Sequence, residues 1–174
     1  MLRQGLTAVV TLALTAALTP LWAADAPAAG GGQTPAQVEA AAPKGTLKNP
    51  YTDDNKAIDE QGHQIFMSLS CNGCHGGTGG GGMCPPLIND VWVYGGDDDT
   101  LFRLVTLGSV ALQAKGYTRR GRENVVGPMP PMGPLFTKAD DLWKVITWIR
   151  SAYDGDPKYK FGSPPPPPPP PPEE

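Results

Sequence analysis

The sequence of 174 residues predicts a mainly α-helical domain with long loops rich in glycine and proline. Two stretches place apolar residues on one face at helical spacing, and a third begins with acidic residues and ends at a glycine. The chain contains 22 glycines and 21 prolines, and only 18% of its residues are charged, so much of it must be loop. We therefore expect one modest domain with a small apolar core for its length.

The first predicted helix runs from a cap at Asp53 or Asp54 to about Leu69. A carboxylate at the cap accepts the free N–H groups of the first turn. The apolar face of this helix consists of Ile58, Gly62, Ile65, Phe66 and Leu69. A glycine inside a helix costs about 1 kcal/mol relative to alanine, so we expect Gly62 to allow close approach of a second helix. His63 lies off this face and is expected to be solvent-exposed, with no role.

Two more helices are predicted downstream. The acidic residues 97–99 precede a short helix over residues 100–107 that ends at Gly108. We expect these acids to cap the helix and favour solubility; a docking patch or a calcium site are the alternatives. The last helix begins at a Thr137 cap and ends near Ala152. Its apolar stripe consists of Leu142, Val145, Ile146 and Ile149, with Trp148 beside it.

The stretch Cys71-Asn72-Gly73-Cys74-His75 is typical of covalent haem c attachment. Each thiol adds to one haem vinyl group through a thioether bond, and the adjacent imidazole can bind the iron. A zinc knuckle needs a second ligand pair, but His63 has no partner cysteine. A thioredoxin-like CxxC follows a buried strand, whereas a helical pattern precedes this one. We therefore predict one covalent haem c held by Cys71, Cys74 and His75.

The segment after His75 is expected to lie along the haem edge. The glycine-rich residues 76–82 lack the Gly-Lys-Ser/Thr of a phosphate loop, and glycines let backbone pass close to a porphyrin. A plain surface loop is the alternative. In residues 83–87, prolines leave carbonyls free to accept the Nδ1–H bond of His75. Cys84 is expected to be a small buried residue, with a free reactive thiol as the alternative.

Two later segments supply further candidates for haem contact. Trp92 and Tyr94 are expected near the haem or its propionates, with ordinary core packing as the alternative. The proline-rich residues 127–133 contain Met129 and Met132. A thioether is a soft, neutral ligand, and a His/Met pair raises the potential and blocks the sixth position on the iron. One of these methionines is expected to bind the iron, and the pattern leaves both open.

Both ends of the chain are expected to lie outside the folded domain. Residues 1–26 are typical of a secretory signal peptide, with Arg3, an apolar run over residues 6–18 and Ala24-Asp25-Ala26 as a cleavage site. An uncleaved anchor is the alternative. Because haem c is attached after export in bacteria, a periplasmic location is expected. Residues 27–48 are expected to be a flexible linker, and residues 163–174 a polyproline tail.

The charge distribution argues against one class of partner. A net charge of −3 disfavours nucleic acid as a partner. Lys115, Arg119, Arg120 and Arg122 form a basic loop with Glu123 as its single acid. Such a run is usually solvated, and contact with a partner is the alternative.

Residues 50–155 resemble a class I cytochrome c. Gly62 and Phe66 ahead of CxxCH are similar to the N-terminal helix of that family, and Trp148 matches the aromatic residue on its C-terminal helix. The resemblance implies three or more helices wrapped around one covalent haem, in a domain spanning residues 49–162. It further implies Pro85 as the carbonyl holding the proximal histidine and Met129 as the distal ligand. With Trp92, expected at the haem from its own segment, these complete the predicted site residues beyond the CxxCH motif.

A narrower resemblance rests on four segments. The glycine-rich loop, residues 83–90, Trp92-x-Tyr94 and residues 127–131 resemble the methanol-metabolism cytochromes. These are the cL-type electron acceptors of pyrroloquinoline-quinone methanol dehydrogenases, and the segments are most similar to those serving the lanthanide-dependent enzyme. The resemblance implies a periplasmic electron carrier rather than an enzyme. It implies a quinoprotein methanol dehydrogenase as donor, a further c-type cytochrome or oxidase as acceptor, and no stable membrane insertion.

Other functions of a haem c domain stay open as alternatives. A general carrier for another dehydrogenase or oxidase needs the same site. A peroxidase needs an open sixth position and a distal acid–base group, and the sequence places no second histidine near the expected distal side. A gas sensor would release its methionine when the gas binds.

Overall fold

The structure is a computed structural model that describes residues 32–121 and 125–161. The predicted signal peptide and polyproline tail lie outside these residues. Within them there are no strands, and the α-helices are α1 (Pro35–Ala41), α2 (Lys56–Ser68), α3 (Asn72–His75), α4 (Asp98–Ala114) and α5 (Ala139–Ser151). Short 3-10 helices cover Gly133–Leu135 and Pro157–Tyr159. The predicted mainly α-helical fold with long glycine- and proline-rich loops is confirmed.

The first and last predicted helices, α2 and α5, pack closely against each other. A methyl group on Gly62 would lie 2.1 Å from the Lys144 carbonyl oxygen and 3.0 Å from Trp148 Cβ. Only a glycine allows this approach, as the sequence predicts. Phe66 of α2 packs on the Trp148 indole, with ring centroids 4.4 Å apart. The buried apolar residues of α5 include Leu142, Trp143, Val145, Ile146 and Ile149.

The caps of both helices differ from the predictions. The Asn55 side chain caps α2 by accepting from the Ile58 N–H at 3.3 Å, because Asp53 instead pairs with Arg150 at 3.0 Å. Helix α5 is capped by Lys138 rather than Thr137, without a side-chain bond. Its first N–H group, at residue 139, donates to a backbone carbonyl at residue 33 at 2.7 Å, so the tertiary structure satisfies a group that was expected to need a hydroxyl.

Helix α4 continues beyond its predicted end at Gly108. Gly108 has φ 75° and ψ 167°, which breaks the helical path, and helical residues resume after it. The Ser109 N–H leaves the helical pattern and donates to the Met129 carbonyl at 3.0 Å. The glycine thus kinks the helix, and the proline-rich loop supplies the acceptor that the kink requires.

The structure corrects the predicted flexible linker (residues 27–48) over its described part, residues 32–48. Thr34 and Gln37 form a reciprocal capping box at the start of α1, and this helix packs against α4 and α5. Leu47 is buried in the core and donates its N–H to Asp99 at 3.2 Å. Val38 and Ala42 also pack against the core, so a few apolar contacts and several polar bonds attach this segment.

Arg103 of α4 forms the centre of that attachment. Its guanidinium is buried and bonds to the Asp99 carboxylate at 3.1 Å and the Glu39 carboxylate at 2.5 Å. It also donates to the carbonyls of Ala42 at 2.7 Å and Pro43 at 3.0 Å. A buried charge is tolerated only when such partners satisfy it, so this cluster fixes α1 to α4.

The acidic residues 97–99 are engaged within the fold and do not form a free docking patch. Asp97 caps α4 by accepting from the Thr100 N–H at 2.9 Å, and Asp98 pairs with Arg150. Burial opposes ionisation of Asp99, but hydrogen bonds led by that from Tyr117 outweigh it and hold the pKa of Asp99 below its usual value. No group of three potential metal ligands occurs among the described residues, which leaves the calcium alternative without support there.

Among the described residues, no helix has both the length and the apolar character needed to cross a membrane.

The helix crossing predicts the effect of enlarging Gly62. Gly62→Leu should lower the free energy of unfolding by about 1–3 kcal/mol, because the new side chain meets the α5 backbone. Gln64→Leu, at an exposed position of α2, is the matched control and should change it by less than about 0.5 kcal/mol. Denaturant titration measures both. Equal midpoints for the two variants would contradict the tight crossing.

The buried cluster predicts the effect of removing its cation. Arg103→Met should destabilise the protein by about 3–5 kcal/mol, because it removes the buried cation that pairs with Asp99 and Glu39. Glu39 keeps its ion pair with Lys115, so the loss falls mainly on the buried Asp99 carboxylate. Lys158→Met removes an exposed pair with Asp156 and should leave the free energy of unfolding nearly unchanged, because solvent screens such a pair. Urea unfolding of both variants checks this, and a loss at Arg103 no larger than that at Lys158 would show that α1 is only loosely attached.

Candidate functional site

The CxxCH motif forms a single helical turn directly after α2. The Cys71 N–H donates to the Phe66 carbonyl at 3.1 Å, and the His75 N–H donates to the Cys71 carbonyl at 3.0 Å. Residues three and four apart lie on the same side of a helix. The turn therefore places Cys71, Cys74 and His75 on one side, with all three partly buried.

Neither cysteine of the motif forms a disulfide bond in the described part of the chain. Burial raises the pKa of the Cys71 thiol. Cys84 lies next to Cys74, and its N–H donates to the Cys74 carbonyl at 3.1 Å. Burial, together with the Cys74 thiol beside it, raises the pKa of Cys84 to about 11. Cys84 is thus a half-buried neighbour of the motif, a proximity that spacing alone did not predict.

The His75 ring is oriented by the segment that follows the glycine loop. Its Nδ1 lies 2.9 Å from the Pro85 carbonyl oxygen. A carbonyl can only accept, so Nδ1 carries the proton and the lone pair of Nε2 is left for a metal. The structure thus contains the hydrogen bond that the sequence led us to expect.

The glycine-rich loop folds back on itself between His75 and Pro85. Gly76, Gly79 and Gly81 have φ values of 75°, 75° and 90°, which L side chains rarely adopt. The Gly81 N–H donates to the His75 carbonyl at 2.8 Å, and the Leu87 N–H donates to the Gly79 carbonyl at 2.7 Å. These bonds hold the loop beside the metal-binding turn.

Trp92 bonds to the segment that follows this loop. Its Nε1–H donates to the Leu87 carbonyl at 2.6 Å, and the buried indole meets the Tyr153 ring edge-on at 5.0 Å. Tyr94 is also buried, but its hydroxyl accepts from Gln113 of α4 at 2.5 Å. Both aromatic residues pack within the core, and haem contact by Trp92 or Tyr94 stays a prediction.

The two methionine candidates are both held by backbone bonds to α4. The Met129 carbonyl accepts from Ser109, and the Met132 N–H donates to the Val105 carbonyl at 2.9 Å. Both side chains are partly buried against the core. A methyl group on Gly108 would lie 2.7 Å from the Met129 carbonyl oxygen, so the kink also makes room for the loop. The choice between the methionines stays a prediction.

His63 contradicts the expectation of an exposed residue without a role. Its ring is partly buried and stacks on Trp148, with centroids 4.6 Å apart and planes 11° apart. Its Nε2 lies 2.8 Å from the Gly77 carbonyl oxygen. Helical periodicity put His63 off the core face. The sequence feature that could have indicated these contacts is the position of His63 directly after Gly62, the glycine at the helix crossing.

A polar cleft of about 340 Å³ opens elsewhere, between the segment around Lys44, the start of α4 and the loop that follows α4. Its lining includes Tyr94, Asp97, Tyr117 and Arg120, and no residue of the CxxCH motif. It is therefore separate from the haem site.

Comparison with protein families decides the class of the chain. Residues 57–149 match the family described as cytochrome c oxidase, cbb3-type, subunit III. The chain belongs to this cytochrome c family. The match covers the CxxCH motif and both candidate methionines, and membership implies a covalently bound haem c.

Comparison with solved structures gave a weaker likeness. Cytochrome cL from the marine methylotrophic bacterium Methylophaga aminisulfidivorans MPT is similar at 24% sequence identity, with a TM-score of 0.46. The alignment covers 62% of this chain, which spans 61% of that protein's length. A comparison with curated proteins found no match.

The residues present in this cytochrome fit a haem c group. Two cysteines outside any disulfide share one turn with an imidazole, and the imidazole has one ring nitrogen fixed by a carbonyl and the other left for iron. When bound, haem c supplies a one-electron couple between Fe(II) and Fe(III). The described residues supply the attachment, the orientation of His75 and the surrounding loops.

The assignment of the distal ligand predicts different behaviour for two variants. Met129→Ala should convert the iron to a high-spin or misligated state, whereas Met132→Ala should leave the visible spectrum nearly intact. The reason is that only the iron ligand, and not a packing residue, sets the spin state. Optical and electron paramagnetic resonance spectra of both oxidised variants measure this, and exchanged behaviour would identify Met132 as the ligand.

Proposed function

We propose that this cytochrome is a periplasmic, monohaem carrier of single electrons that accepts them from a pyrroloquinoline-quinone methanol dehydrogenase. Cys71 and Cys74 form the thioether bonds, and His75 and Met129 are the axial ligands. The observation that carries the proposal is the His75 ring, held by Pro85 beside two cysteines on the same turn. This arrangement is suited to a permanently attached redox group.

The surroundings of the site favour electron transfer over catalysis. The His75 ring is fixed at Nδ1, and the methionine loop is anchored on α4 by backbone bonds on both sides of Gly108. Two ligands held in this way stay bound in both oxidation states, so little rearrangement accompanies transfer. An oxidised protein with a methionine ligand shows a weak far-red absorption band, and its presence would exclude an open-site peroxidase.

The choice of donor rests on the sequence segments that resemble the methanol-metabolism cytochromes. Weak redox encounters bury little surface, below about 1,200 Å² in total, and surface charge tunes their rate. The exposed Arg119 and Arg120 of the basic loop are the proposed candidates for steering. A donor with an acidic face around its electron exit fits this surface, and a lanthanide-dependent methanol dehydrogenase is the proposed one.

A second candidate keeps the carrier role and changes the partner. The matching family is described as a subunit of a cytochrome c oxidase. That description favours electron exchange with an oxidase or with a further c-type cytochrome. The same haem site could accept an electron from one partner and pass it to the other.

Reduction kinetics test the proposed donor. Methanol dehydrogenase with methanol should reduce the haem, and the rate should fall as ionic strength rises from about 10 to about 200 mM, since the Debye length shrinks from roughly 30 Å to below about 10 Å. Stopped-flow absorbance measures the rate. The double variant Arg119→Gln, Arg120→Gln should be slower at low salt and less sensitive to salt.

Three outcomes separate the parts of this proposal. Fast reduction that is indifferent to salt would keep the donor and remove the steering. Reduction by ascorbate but by no methanol dehydrogenase would remove the donor. Reduction of the oxidised protein by another dehydrogenase, or oxidation of the reduced protein by an oxidase, would then support the second candidate.

A further inference from the structure

His63 connects the helix crossing to the loop beside the haem-binding turn. Its imidazole stacks flat on Trp148, at the point where α2 and α5 cross. From there Nε2 reaches the Gly77 carbonyl oxygen at 2.8 Å. A carbonyl oxygen only accepts, so Nε2 carries a proton and donates. The stack fixes the plane of the ring, and the plane aims the donor at the loop.

The Gly77 carbonyl belongs to the glycine-rich loop that directly follows His75. Gly77 is two residues after His75, and the Gly81 N–H returns to the His75 carbonyl at 2.8 Å. The Leu87 N–H then closes on the Gly79 carbonyl at 2.7 Å. A methyl group on Gly79 would lie 3.7 Å from Trp148 Cη2, so the same indole that carries His63 borders the loop.

We propose that His63 is a positioning residue for the haem site: it anchors the glycine loop through Gly77 and thereby sets how the loop encloses the haem beside His75. A run of glycines has little intrinsic preference for one conformation, so it needs external anchors. The described bonds within the loop are local, whereas His63 supplies an anchor from α2 that is fixed by the helix crossing. The inference rests on the haem c domain and does not depend on the identity of the electron donor.

The size of the expected effect follows from the hydrogen bond. The net contribution of one such bond is modest, and we expect an effect of about fivefold, which corresponds to about 1 kcal/mol at 1.4 kcal/mol per tenfold change in an equilibrium constant. Loss of the anchor should therefore raise the population of the opened loop about fivefold. Enclosure of the haem tunes its redox behaviour, so the reduction potential should shift as well.

Two substitutions separate the hydrogen bond from the ring. His63→Phe keeps an aromatic ring for the Trp148 stack and removes the donor, whereas His63→Gln keeps an amide donor and removes the ring. Gln64→Ala, at the neighbouring exposed position, is the control because its side chain bonds only locally to Glu60 at 2.9 Å. Hydrogen exchange in the reduced holoprotein reports the loop through the Gly81 and Leu87 amides, and a spectroelectrochemical titration reports the potential.

We expect His63→Phe to exchange the Gly81 and Leu87 amides about fivefold faster than the natural protein, with core amides of α5 unchanged. Its potential should shift, while His63→Gln should restore exchange to within about twofold and the potential with it. Natural exchange rates in His63→Phe would show that His63 only packs. Faster exchange with an unchanged potential would also overturn the proposal, because the loop would then not set the haem environment.

A second pair keeps the test decisive if His63→Phe does not fold. His63→Gln and His63→Met are similar in size and both lack the ring, and only Gln donates a hydrogen bond. Faster exchange at Gly81 and Leu87 in His63→Met than in His63→Gln supports the anchor. Equal exchange in the two variants contradicts it. None of these measurements uses a dehydrogenase, so their failure is distinct from failure of the proposed function.

Discussion

The close crossing of α2 and α5 is the constraint on which the haem site depends. At Gly62 the two backbones approach so closely that a methyl group would lie 2.1 Å from the Lys144 carbonyl oxygen. This approach brings Phe66 and His63 of α2 onto Trp148 of α5. The CxxCH turn begins three residues beyond the end of α2, so the crossing also decides where the ligands start. A single missing Cβ thus sets the position of the metal-binding segment.

Two kinds of interaction hold the described fold together. Apolar side chains packed between α2 and α5 join these helices, and this contact depends on complementary shape. The buried guanidinium of Arg103 joins α1 to α4, and it needs complete hydrogen bonding because an unpaired ion in the interior is costly. The first interaction supports the ligand turn. The second supports α4, whose kink at Gly108 receives the methionine loop.

Backbone carbonyls, more than charged side chains, orient the residues around the haem site. Pro85 orients the His75 ring, Leu87 accepts from the Trp92 indole, and Gly77 accepts from His63. Prolines and glycines suit this task, since they leave carbonyls outside regular helices and strands. The abundance of these two residues therefore serves the site as well as the connections between helices. An electron carrier needs such fixed surroundings, because its ligands must hold still while the charge changes.

The amino-acid sequence by itself predicted the mainly helical fold, the haem attachment motif and the close helix crossing at Gly62. Each of these depends on residues close together in the sequence: apolar residues at helical spacing, the CxxCH motif and a glycine inside a helix. Tertiary structure decided the rest. The N–H of Ala139 at the start of α5 donates to the carbonyl of residue 33, which lies 106 residues earlier in the sequence. The predicted linker is attached through the bond between Arg103 and Glu39, which are 64 residues apart. His63 looked free because periodicity reports one helix face and not what the next loop brings to it. Sequence spacing encodes neighbours along a helix, whereas long-range polar bonds depend on where the chain returns, and only the packed structure fixes that.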